Sequence, residues 1–173
     1  LLQFNLKDYT AAAKNFDGYR VKYRAQVGPE RFTDARIYLG RAQVELKQYP
    51  QAEKVYTDLA AEPKAGAKVF LWQGRMFQAQ AKSAAAVKAL DAALKKFPAD
   101  ELRPAMLYDF ANNNLGLDQF KEAGETFDAL LARVETVLRR AGTEGGGGHL
   151  PMETLAIILL RACGVNATQY QQL

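Results

Sequence analysis

The chain reads as an all-α protein, an α-solenoid of stacked antiparallel helix pairs, and three observations point there. First, Ala12, Ala52, Ala86 and Ala123 share one local frame. Each is preceded three residues earlier by Tyr9, Tyr49, Ser83 or Phe120 and followed four residues later by Phe16, Tyr56, Leu90 or Phe127. The alanines step by 40, 34 and 37 residues, and a period near 34 with this pattern is that of helix–turn–helix repeats. Second, Gly40, Gly74 and Ala111 each lie nine residues before Tyr49, Ser83 or Phe120. A small residue there lets paired helix axes approach at the short end of the ~8–10 Å range. Third, prolines and glycines fall between apolar stretches of helical spacing.

Taken in order, residues 3–26 place Phe4, Tyr9, Ala12, Ala13, Phe16, Tyr19 and Tyr23 at steps of three to five, which predicts one helix. Gly28-Pro29 stops it. A second helix is expected over 30–47, with Ala35, Leu39, Ala42, Val44 and Leu46 inward. Pro50 is tolerated in the first turn of its partner, which runs through Ala52, Val55, Tyr56 and Leu59 until Pro63. Residues 65–81 and 83–97 repeat the scheme and Pro98 closes it. Asp100 is the expected N-cap of a helix through Leu107, Phe110, Ala111 and Leu115. Residues 118–140 predict a last long helix with Phe120, Ala123, Phe127, Leu130, Leu131, Val134 and Leu138.

The domain organisation that follows is a repeat array over 1–141, a Gly-rich flexible linker over 142–149, and an apolar helix and tail over 150–173. The stretch 142–148 reads Gly-Thr-Glu-Gly-Gly-Gly-Gly, with a typical reach of about 15 Å. Residues 155–160 are apolar on all sides, so the tail helix must be buried. It is expected either to cap the stack or to dock as a ligand helix in the repeats' own groove. The chain starts at Leu1, inside a repeat, and is expected to be part of a longer protein, any signal peptide being absent or removed.

Composition narrows the function classes. The 173 residues are 49% hydrophobic and 24% charged with a net charge of +4, an ordinary globular mix. The longest apolar stretch, 155–160, is far short of the ~18 residues of a membrane span. One cysteine, Cys163, rules out an internal disulfide framework. His149 and Cys163 lie fourteen residues apart with no further ligand at metal spacing, and no glycine loop leads into a phosphate-binding lysine. No cofactor, metal or catalytic residue is expected. Arg20, Lys22 and Arg24 interleave with Tyr19 and Tyr23, a pattern nucleic-acid binders use; a short run on one helix reads more simply as a solvated face.

Leu39-Gly40 with Tyr49, Ala52, Tyr56 and Pro63, then Gly74 with Ala86, Leu90 and Pro98, then Phe120, Ala123 and Phe127 resemble tetratricopeptide repeats. The resemblance covers 1 to about 141, the first repeat by its second helix alone. Ser83 departs from the aromatic pattern, and no repeat opens on the tryptophan common in the family. The ending Phe97-Pro98 and the longer spacers are similar to repeats of bacterial cell-envelope proteins, although a periplasmic and a cytoplasmic setting both fit. The resemblance implies a right-handed superhelix whose first helices line a concave groove for a peptide or helix. Carried onto this sequence, the groove residues are Asp34, Ile37, Arg41 and Glu45, then Lys68, Leu71, Arg75 and Gln78, then Ala105, Tyr108, Asn112 and Leu115. Arg41 and Arg75 are 34 residues apart and Asn112 continues their row; Ile37, Leu71 and Tyr108 form an apolar row beside it. The implied partner is a protein or peptide with a carboxylate and one or two apolar anchors. The implied function is a protein–protein adaptor or assembly scaffold; the alternatives are a docking or regulatory module of a larger enzyme, or a repeat domain fused to its own ligand helix.

Overall fold

A computed structural model describes residues 1–22 and 28–144, and within them the side chains of 20, 134, 135 and 137–144 are left aside. The described residues form eight helices and no strand: α1 Leu2–Asn5, α2 Tyr9–Lys22, α3 Pro29–Glu45, α4 Tyr49–Ala60, α5 Ala67–Ala79, α6 Ser83–Lys96, α7 Arg103–Leu115 and α8 Phe120–Glu144. The chain divides into two compact units, Leu1–Ala89 and Leu90–Leu173. In the first unit each helix from α1 to α4 packs on its successor and α3 also touches α5; in the second, α7 packs on α8. The expected tail helix over 150–173, and His149 and Cys163, lie outside the described residues, as do Tyr23 and Arg24 of the basic run. Helix α8 takes in residues 142–144, the first three read as linker.

One turn recurs four times. Lys7, Lys47, Ala81 and Asp118 all adopt positive φ, at 61°, 57°, 56° and 58°. Each amide N–H donates to the carbonyl three residues back: Lys7 to Phe4, Lys47 to Val44, Ala81 to Gln78 and Asp118 to Leu115, at 2.8 to 3.1 Å. The following N–H donates five back, from Asp8 to Gln3, Gln48 to Gln43, Lys82 to Phe77 and Gln119 to Asn114. These paired bonds are the Schellman closure, which satisfies carbonyls left over at a helix end. Each left-handed residue stands five before one of the four framed alanines, whose own N–H then makes an early bond of the next helix, as Ala52 does to Gln48 at 3.1 Å. The alanine signature in the sequence therefore marks a fixed distance from a turn, not only a packing position.

The first of these turns corrects a sequence expectation. Residues 3–26 do not make one helix: the chain breaks at Lys7 between α1 and α2. The apolar spacing runs through the break, from Phe4 to Tyr9 and Ala12, and Lys7 is not a residue that announces a turn. Asp8 was the signal, since its Oδ1 accepts the Ala11 N–H at 3.1 Å as an N-cap does. Asp100 is likewise displaced: α7 starts at Arg103, with Leu102 as its N-cap residue, while Asp100 Oδ1 accepts the Leu102 N–H at 2.8 Å in the turn before it.

The core of the first unit is built from α3, α4 and α5: Ile37, Ala52, Tyr56, Leu59, Val69 and Met76 are buried together. Its closest fit is Tyr56 against Gly40. A Cβ on Gly40 would stand 2.7 Å from Tyr56 Cζ, far inside van der Waals contact, so only glycine admits the ring. The Tyr56 hydroxyl donates to the Ile37 carbonyl at 3.1 Å, which satisfies the phenol's donor in an apolar setting. Inside the second unit, Met106 and Ala111 of α7 and Ala123 and Leu130 of α8 are buried. Asn113 and Asn114, also buried, turn their amide groups back to the Asp109 and Phe110 carbonyls at 2.7 and 3.1 Å.

Candidate functional site

Helices α3 and α5, which touch within the first unit, bring together side chains 34 residues apart in the sequence. Tyr38 and Arg41 stand three apart on α3, Trp72 and Arg75 three apart on α5, and i, i+3 neighbours share a helix face. The Arg41 guanidinium carbon lies 3.9 Å from the Trp72 ring centroid, 4.9 Å from that of Tyr38 and 4.7 Å from that of Phe4 on α1. Arg75 uses the same indole, 4.9 Å from its centroid. The rings are themselves braced: Phe4 meets Tyr9 and Tyr38 edge-on, and Phe16 stacks on Tyr38 at 5.4 Å. The outcome is a ladder in which aromatic faces and guanidinium groups alternate from α1 across α3 to α5.

Arg41 is half-buried. Burial pulls its guanidinium pKa below the ordinary value; Tyr38, through its charge and a hydrogen bond, and Tyr56 oppose that, while the positive charge of Arg75 adds to it. The group stays charged, because arginine does not deprotonate in proteins. Each ring contact is worth roughly 0.5–2 kcal/mol according to how far it is desolvated, and three rings offset part of the cost of burying the cation. No carboxylate pairs with Arg41 among the described residues. Of the acids on α3, Asp34 accepts from Lys68 Nζ at 2.7 Å, and Glu45 is exposed one turn away from Arg41. With rings over its faces, the guanidinium keeps its N–H edge for hydrogen bonding, the geometry that meets a carboxylate in a fork.

The remaining groove candidates divide. Asp34, Arg41, Lys68, Arg75 and Gln78 are half-buried or exposed. Ile37 and Leu71 are not surface residues at all, with relative exposures of 1% and 3%. The apolar row expected of them is therefore corrected: Ile37 belongs to the core under Tyr56, because its helical position falls between the groove face and the face that meets α4. Ala105 is buried as well. In the second unit Tyr108 is half-buried with its ring edge-on to Phe127 at 6.3 Å, Asn112 is half-buried and Leu115 exposed.

An apolar recess does exist, in another place. A cleft of about 500 Å³ opens where α2 faces α3, lined in part by Ala12, Phe16, Tyr19, Arg31, Ala35 and Tyr38. It shares Tyr38 with the guanidinium ladder. Sequence reasoning missed Phe4, Tyr38 and Trp72 as parts of the site, although Tyr38 and Trp72 are 34 apart like the arginines they precede, which was the available signal. Among the described residues no helix is long and apolar enough to cross a membrane. Comparison of the chain with protein-family models, with curated proteins and with solved structures found no match.

Proposed function

We propose that this chain is a protein–protein interaction module, an adaptor or assembly scaffold of the tetratricopeptide type, which holds a peptide segment of its partner across α3 and α5. The fourfold Schellman turn in step with the four alanines supports the repeat reading. The single observation that carries the binding reading is Arg41, a half-buried guanidinium enclosed by three rings with no acid of its own among the described residues. A partner carboxylate completes it. The apolar anchor of that segment enters the cleft beside Tyr38, since Ile37 and Leu71 are spent on the interior. The site's chemistry is recognition, by charge, ring faces and a recess.

The test is a binding measurement on the full chain, using a partner captured from its native extract and then purified. Arg41→Glu combined with Arg75→Glu is expected to weaken binding by an order of magnitude or more with unchanged helical circular dichroism. The difference between parent and variant should shrink as salt rises, because solvent-accessible charge contacts are screened. Equal affinity of parent and double variant for the purified partner would remove the ladder from the binding surface.

A further inference from the structure

We infer that the segment read by this face is extended and carries carboxylates on alternate residues, in the order acidic, any, acidic. The inference rests on the binding reading above and specifies its ligand. Arg41 and Arg75 occupy the same repeat position on two helices that touch, and both guanidinium carbons lie over one indole, at 3.9 and 4.9 Å from its centroid. With rings over their faces, the donors they offer a ligand are the N–H groups at the guanidinium edge, the geometry that meets a carboxylate in a fork. A guanidinium carries five such donors, so a contact made elsewhere by either arginine leaves others for a ligand.

The spacing selects the ligand's conformation. Neighbouring helices stand about 8–10 Å apart, and the shared Trp72 keeps the two guanidinium groups within that step. In an extended chain residues i and i+2 point the same way about 6.6–6.8 Å apart, and the reach of aspartate or glutamate side chains covers the remainder. Residues i and i+1, or i and i+3, point to opposite faces and cannot serve both arginines. A helical ligand would need an apolar furrow for its apolar stripe, and between α3 and α5 the two residues expected to supply one, Ile37 and Leu71, are buried. What the face offers instead is the Arg41–Trp72–Arg75 ladder, with the Asp34–Lys68 pair two helical turns before it.

Fluorescently labelled short peptides of glycine, serine and threonine, carrying two glutamates at i,i+1, at i,i+2 or at i,i+3, or one glutamate alone, test this on the full chain at low salt. A helix-forming peptide with glutamates at i,i+4 completes the set. The i,i+2 peptide is expected to bind at least tenfold more tightly than the single-glutamate peptide and than every other spacing. Arg41→Gln and Arg75→Gln should each bring it down to the single-glutamate value, and Arg41→Lys, which keeps the charge without the fork, should recover only part. Equal binding of all spacings, still lost in Arg41→Gln, would overturn the alternate-residue inference and leave the binding reading standing. Tighter binding of the helical peptide would overturn the extended conformation. Failure of every peptide to bind, or binding indifferent to Arg41→Gln, would overturn both.

Discussion

Gly40 shows how much a single absent methyl group decides. The Tyr56 ring fills the space where a Cβ would stand, and its hydroxyl is tied to the Ile37 carbonyl on the same helix as Gly40, so the ring has nowhere to withdraw. Alanine at position 40 gains about 1 kcal/mol of helix propensity but overpacks a buried contact at a cost of about 1–3 kcal/mol. Gly40→Ala is therefore expected to destabilise by up to about 2 kcal/mol, read by denaturant unfolding. In a Tyr56→Leu background the same change should turn neutral or stabilising, because the atoms it meets are gone; a penalty that persists there would place the clash elsewhere. The arginine at position 41 is the complementary case. Its value lies in a side chain that the interior does not finish using, whereas Arg36, next in the chain to Ile37 whose carbonyl accepts from Tyr56, is paired with Glu62 and lies over Phe32.

At the scale of elements, the four turns hold left-handed backbone without one glycine among them. For a residue with a Cβ, this conformation costs about 1–2 kcal/mol, offset here by the carbonyls the Schellman bonds satisfy. Ala81, at φ 56° between α5 and α6, is exposed, so its side chain has little packing to lose. Ala81→Gly is expected to stabilise the chain by about 0.5–1 kcal/mol, and Ala81→Val to destabilise it by at least as much, both measured as shifts in unfolding midpoint. The reverse order would mean that the turn is not left-handed in solution. Helix α8 illustrates a different economy: Ala123 and Leu130 are buried while Phe120 and Leu131 stay exposed, so its described apolar stripe is covered only in part.

The stability of the whole molecule carries a signature of its core in alkali. Burial raises the pKa of Tyr56 well above that of a free tyrosine, with Arg41 opposing in part. The sign follows from proton binding. Above about pH 10 the unfolded chain releases this proton and the folded chain keeps it, so the contribution is full below that pH and falls as the pH rises. The loss amounts to about 1.4 kcal/mol per pH unit for one such group. Unfolding free energies of the parent and of Tyr56→Phe should thus converge between about pH 9 and pH 11. A constant difference across that range would show that Tyr56 ionises as freely in the fold as out of it.

Much of this architecture is legible in the residues. The alanine frame, the small residues nine positions ahead of it and the proline stops predict an all-α chain of short helices packed on their neighbours, because helix periodicity and the volume of a crossing residue are local properties. The break at Lys7 was not legible: its cause is a backbone hydrogen-bond closure that no glycine or proline announces. Nor was the division of the groove candidates. Ile37 and Arg41 are four residues apart on the same helix, and sequence spacing places them side by side on one face. Only the packing of α4 and α5 around α3 buries one and leaves the other half-open among rings drawn from three helices. Periodicity states which residues share a face; which part of that face meets protein and which meets solvent depends on neighbours far along the chain, and that only the tertiary structure decides.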